Sequence, residues 1–236
     1  MHQRSKISST FTAAAIALAA CSGGGNSSSP SATPGGVLPV PAAAPTPIVL
    51  FEGEVLGNPT FPEGDTSNGP QNGAPSSDGL TCNGASGPLA LHHHAHLSLY
   101  MGGTRVAIPA AIGMFDPVAA VNGIVSGGKC DYDLHTHDAS GIIHVESTTI
   151  AQFTLGEFFD IWGEPLSTTD IAGDSAQTMI FTAQDPGNGT AGPAFTQYSG
   201  DPNAIQLLQH EEIVLEVGAP FVVPPQIPSV TFPSGF

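Results

Sequence analysis

Positive charge is what this 236-residue chain has least of: Lys and Arg number 4 against 20 Asp and Glu, a formal net charge of −16. Such a chain has no means of neutralising phosphates, which excludes nucleic acid as a partner. An anionic membrane surface repels it as well. Cysteine is scarce, 3 in all, and no two form a Cys-x-x-Cys pair, which argues against a thiolate zinc knuckle. The apolar stretch at residues 7–18 falls short of the roughly 20 residues that span a bilayer. Charged residues make up only 10% of the chain, whereas Gly 29 and Pro 22 are abundant. That balance favours short strands and many turns over long helices.

The amino end has the form of a targeting segment. Arg4 and Lys6 precede the apolar stretch, which ends in Leu18-Ala19-Ala20-Cys21. This tetrapeptide resembles the bacterial lipobox, which implies cleavage before Cys21 and lipid on its sulfur. Ser22 in place of Asp at the next position implies the outer membrane of a two-membrane bacterium, with the membrane as a partner held through lipid alone. The alternative is an ordinary cleaved signal with an unrelated cysteine. Cleavage leaves Arg105 and Lys129 as the only strong cations. It also leaves Cys82 and Cys130, which an oxidising compartment is expected to join in a disulfide. Use of both thiols as metal ligands is the competing possibility.

Composition divides the chain into five parts. Residues 1–20 are the signal, and 21–47 a Gly/Ser/Pro-rich tether expected to be disordered. Residues 48–88 are a loop region with a possible first strand at 48–51. Residues 89–218 form a His-rich globular domain, and 219–236 a Pro-rich tail expected to run extended over the surface.

Within the domain, residues 91–101 alternate with period two. Leu91, Ala95, Leu97, Leu99 and Met101 point to one face, and His92, His94, His96, Ser98 and Tyr100 to the other. Gly102-Gly103 supplies the positive φ that a type I′ hairpin turn needs, so residues 104–108 are expected to return as a partner strand. That register sets Leu99 against Val106 and Leu97 against Ile108. Residues 132–137 and 142–147 form a second strand pair around Asp138-Ala139-Ser140-Gly141. A helix is predicted over Leu155–Trp162, with Thr154 and Glu157 as a capping box and Phe153 and Phe158 as a staple. Gly163 and Pro165 end it, and Trp162 is expected to be a core plug. Further strands are expected at 178–183 and 212–217.

Seven of the 9 histidines fall in two clusters, His92-His93-His94-Ala95-His96 and His135-Thr136-His137 with His144. Residues i and i+2 of a strand project from the same face, so each His-x-His pair can converge on one ion. We read His94, His96, His135, His137 and His144 as candidate metal ligands, with His92 and His210 as possible additions. His93 lies on the aliphatic side and is the weakest member. Imidazole-rich sites without sulfur suit copper or zinc. Asp138 and Glu146 are candidates for a further ligand, a partner that orients an imidazole, or a general base on metal-bound water. The competing interpretation is a purely structural polar network.

Asp133-Leu134-His135-Thr136-His137 resembles the first metal-binding strand of amidohydrolases. Those barrels need more ligands and a βα alternation that this chain lacks. The metallo-β-lactamase pattern fails because Asp138 directly follows His137, and the glycine spacing of cupins is not matched. Closer is the resemblance to an uncharacterised group of exported bacterial lipoproteins. They share His94-Ala95-His96-Leu97, the run of residues 134–146 in the form Leu-His-Thr-His-Asp-x-x-Gly-Ile-Ile-His-x-Glu, and residues 153–163 in the form Phe-Thr-Leu-Gly-x-Phe-Phe-Asp-Ile-Trp-Gly. This resemblance spans most of residues 92–218 and implies no particular activity.

The expected fold is α+β, a small, mainly antiparallel sheet with one short helix, similar to β-grasp domains. The alternative is an all-β sandwich of cupredoxin type. Three functions fit the sequence: capture, storage or delivery of copper or zinc; metal-dependent hydrolysis with Asp138 or Glu146 as base; or a surface interaction module built on a histidine network.

Overall fold

The computed structural model describes residues 43–62, 70, 72–83, 87–185 and 194–236, all within the compact unit Pro41–Phe236. The expected signal, Cys21 and the tether up to residue 42 lie outside the described residues. In chain order the elements are β1 (Ile48–Val49), β2 (Leu91–Met101), β3 (Thr104–Val106), β4 (Met114–Phe115), β5 (Cys130–Asp131), β6 (Leu134–His135), β7 (Ile142–Ser147), α1 (Leu155–Trp162), β8 (Thr178–Gln184), β9 (Thr196–Gln197), β10 (Glu211–Val217) and β11 (Val230–Thr231). Among the described residues no helix is long and apolar enough to cross a membrane.

The central element is β2. Its period-two alternation gives it one aliphatic face, and its eleven residues are long enough to take two partners on one edge. Residues 91–96 pair with β7, and residues 99–101 pair with β3 through the hairpin at Gly102 and Gly103. Both glycines have positive φ, as a type I′ turn requires. Leu99 lies opposite Val106, in the expected register. The partner strand stops at Val106, not 108, because the Ala107 N–H is taken by the Asn58 carbonyl at 2.9 Å. On its other edge β2 pairs with β10, and this pairing is parallel. The main sheet thus runs β6-β7-β2-β10-β8-β9, with β3 also on β2. Among the described residues it is a mixed, open sheet with one helix, mainly antiparallel as expected, with the single parallel pairing of β2 and β10 at its centre.

Ala95, Leu97 and Leu99 of β2 share their face with Ile143 and Val145 of β7 and with Ile213, Leu215 and Val217 of β10, and all are buried. Helix α1 joins the same core with Phe158, Phe159, Ile161 and Trp162. The capping box forms as expected: Thr154 Oγ1 accepts from the Glu157 N–H, and Glu157 Oε2 accepts from the Thr154 N–H at 2.7 Å. Gly163 closes the helix in the left-handed conformation. Trp162 is a core plug, edge-on to Phe61 with ring centroids 5.0 Å apart. Complete burial of each such side chain stabilises the fold by roughly 1.5–3 kcal/mol.

The opposite face of β2 is covered by the tail. Strand β11 pairs with β1, and Val230 and Phe232 pack with Leu50 and Ile142. Ile227 is buried against Tyr100, Phe181 and Val214. The tail therefore does not simply lie over the surface. The second sheet face carries Ile142, Tyr100, Phe181 and Val214, too much apolar area to leave in water.

Candidate metal centre

Three strands bring the histidines together. His94 of β2 lies directly across the ladder from His144 of β7, and His144 lies across from His135 of β6. Because residues in register share a face, all three imidazoles emerge on the same side of the sheet. Strand β6 is shorter than the expected 132–137. The Tyr132 N–H goes to the Gly113 carbonyl and the Thr136 N–H to the Ile112 carbonyl, so the segment leaves the ladder on either side of β6. That departure swings His137 back towards His135. The Cys82–Cys130 disulfide is present and ties the loop before β2 to β5, just ahead of this segment.

Among the described residues two overlapping groups of donors result. His135, His137, His144 and Glu146 have ligand atoms all within 4.8 Å of one another, and so do His92, His94 and His144. The buried histidine cluster could therefore hold a metal ion. Backbone carbonyls set the tautomers in the first group. His135 Nδ1 donates to the Tyr132 carbonyl at 2.9 Å, and His137 Nδ1 donates to the Val125 carbonyl at 2.6 Å. A carbonyl can only accept, so in each neutral ring the proton sits on Nδ1 and Nε2 carries a lone pair. Those two Nε2 atoms are 3.2 Å apart. Two lone pairs at this distance repel unless a cation lies between them. Two nitrogens at zinc-imidazole bond lengths and a tetrahedral angle would be about 3.3 Å apart.

The remaining members differ in exposure. His94 and His144 are buried, and the Nδ1 of each has no hydrogen-bond partner among the described residues. Burial, reinforced by the neighbouring imidazoles, lowers the pKa of His94 to about 3 and drives that of His144 well down. The pKa of His135 is lowered in the same way. All three are thus held neutral, the form that binds metal. Glu146 is the carboxylate of the set, with Oε1 3.4 Å from His92 Nε2 and 3.9 Å from His144 Nδ1. Two openings reach the cluster. One, of about 160 Å³, is polar and bordered by Asp131, Asp133 and Glu146. The other, of about 190 Å³, is bordered by Ile124, Asp138 and Phe236.

Other expected residues lie elsewhere. His96 belongs to neither group: its Nε2 donates to the Ser140 carbonyl at 3.0 Å, and it is held neutral by burial beside Arg105. Gly141 leaves room for that contact, since a Cβ there would fall 3.1 Å from His96 Nε2. His210 is likewise outside both groups, bonded through its ring to the Asp185 and Phe236 carbonyls. His93 turns to the core side and donates to the Leu207 carbonyl at 2.7 Å. Asp138 has both oxygens engaged: Oδ1 accepts from the Ser140 N–H and hydroxyl, and Oδ2 accepts from the Gly53 N–H. It ties the turn before β7 and borders the second opening.

Sequence reading missed Phe236, whose ring lies 4.3 Å from that of His94. It also missed the Tyr132 and Val125 carbonyls that orient His135 and His137. Backbone acceptors leave no trace in side-chain identity, so no pattern could have found them. Compared with protein-family models, with curated proteins and with solved structures, the chain matches none.

Proposed function

We propose that this chain is an exported, lipid-anchored protein of the bacterial cell envelope that binds copper or zinc and captures, stores or delivers it. One observation carries the metal reading: the Nε2 lone pairs of His135 and His137 converge at 3.2 Å, with both rings locked by carbonyls. The buried, unpartnered Nδ1 atoms of His94 and His144 add to it, because leaving each unsatisfied costs about 1–3 kcal/mol. Imidazole donors without sulfur favour copper or zinc over magnesium or calcium. Cys21 in its lipobox setting and the likeness to exported lipoproteins support the location. The order hairpin, helix, strands, with β10 parallel to β2 at the centre, supports a β-grasp-like arrangement over a cupredoxin sandwich.

A second reading, a metal-dependent hydrolase, draws on the polar opening beside Glu146. In it, Glu146 rather than Asp138 would take the proton from a metal-bound water. Elemental analysis of the purified chain, made without a His tag and repeated after His135→Ala plus His137→Ala, tests the metal reading. Stoichiometric metal lost in the double variant is expected. Equal metal in both proteins, or none in either, sinks it and leaves a structural histidine network.

A further inference from the structure

We propose that the centre takes two metal ions, one on His135 and His137 and one on His92 and His94, with the Glu146 carboxylate bridging them. This rests on the metal reading above. The first group, three imidazoles and a carboxylate, already makes a complete four-donor set. An ion there leaves His92 and His94 unused, because neither belongs to that group. Yet His94 is buried with its Nδ1 unpartnered among the described residues, so the structure holds a donor that the first ion leaves unsatisfied.

The two groups meet at His144. Its ring stands between His94, with centroids 4.6 Å apart at 90°, and His137, at 4.4 Å and 83°. A neutral imidazole with one N–H has one lone pair to give, so His144 completes the shell of one ion only. Glu146 has two oxygens. It belongs to the first group and also lies 3.4 Å from His92 Nε2, which makes it the residue able to touch both ions. Its position follows from register, because Glu146 faces His92 across the β2–β7 ladder just as His144 faces His94. Known two-metal sites hold their ions about 3.5–4 Å apart, a separation that a carboxylate spans. Asp131 and Asp133 at the polar opening offset part of the added positive charge.

Copper alone is the probe. The untagged full chain is titrated with Cu²⁺, bound copper is counted by elemental analysis, and the paramagnetic resonance signal is integrated. Two equivalents are expected, with an integrated signal well below the copper content because neighbouring Cu²⁺ spins couple through the bridge. His92→Gln plus His94→Gln should bind one equivalent whose signal accounts for all of it. His92 is half exposed, so the single variant His92→Gln should keep the fold and weaken only the second equivalent. One equivalent in the wild type, or two that remain magnetically independent, overturns the two-ion centre and leaves the single-ion reading intact. No copper bound at all overturns both.

Discussion

His94 and His144 face each other across the β2–β7 ladder with perpendicular rings, and among the described residues the buried Nδ1 of each has no hydrogen-bond partner. Two imidazoles placed so closely would ordinarily share a proton or a water. Here burial and the surrounding imidazoles keep His94 neutral down to about pH 3, and His144 lower still. A metal ion is the partner that relieves this arrangement most directly.

His144 is common to both donor groups, so whichever ion it completes, its loss should weaken binding. Residues that merely orient a ligand cost 10–100-fold in metal affinity, and a direct ligand should cost at least about 100-fold. Calorimetric titration of His144→Gln with Cu²⁺ or Zn²⁺ measures this. An affinity within a few-fold of wild type would exclude His144 as a ligand.

Asp138 should matter for stability and not for metal. Its three hydrogen bonds hold the turn before β7, so Asp138→Asn should destabilise the chain by about 1.5–3 kcal/mol. Denaturant unfolding measures that loss, and elemental analysis should find unchanged metal. Lost metal in a folded variant would return Asp138 to the list of ligands.

The metal-free protein should be most stable in mildly acidic solution. His94 and His96 have folded pKa values of about 3 against 6.5, so their contribution is complete above pH 6.5 and is lost as pH falls towards 3. Glu212 runs the other way. It accepts from the Val230 N–H at 2.8 Å while burial raises its pKa to about 8, so its contribution is complete below about pH 4.5 and is lost as pH rises to 8. Glu211 and Glu216, raised to about 7, add to the alkaline decline. Melting temperature should therefore peak between roughly pH 4.5 and 6.5, where the slopes oppose. Glu212→Gln should shrink the fall between pH 6.5 and 8. An unchanged fall would assign it to other groups.

The disulfide closes a loop of 48 residues. Chain entropy values such a constraint at about 4 kcal/mol. Cys82→Ser plus Cys130→Ser should lower unfolding free energy by roughly that amount, read from denaturant midpoints. Hydrogen exchange should rise first in residues 125–137, which carry His135, His137 and the Val125 carbonyl that orients His137. A loss under about 1 kcal/mol would mean that the unfolded chain is not constrained by the bridge.

Much of the scaffold was legible because it depends on local pattern. Alternation placed β2, Gly102 and Gly103 placed the hairpin, and the pair Thr154 and Glu157 placed the helix start, all interactions between residues close in sequence. The histidine clusters were visible for the same reason, as i and i+2 pairs. His96 was not separable from His94, since both lie on one face of one strand. What divides them is the register of β7, which sets His144 beside His94 and Ile142 beside His96.

By itself, then, the amino-acid sequence determined which side chains offer metal-donor chemistry and which strand faces they occupy, because both follow from side-chain chemistry and the period of the backbone. Tertiary structure decided which of those faces meet. The carbonyls of Tyr132 and Val125 turn two imidazoles towards one point, β10 pairs in parallel with β2, and the tail buries the second face of the sheet. Each of these is a contact between residues distant in the chain or a backbone hydrogen bond, and neither leaves a mark in residue identity.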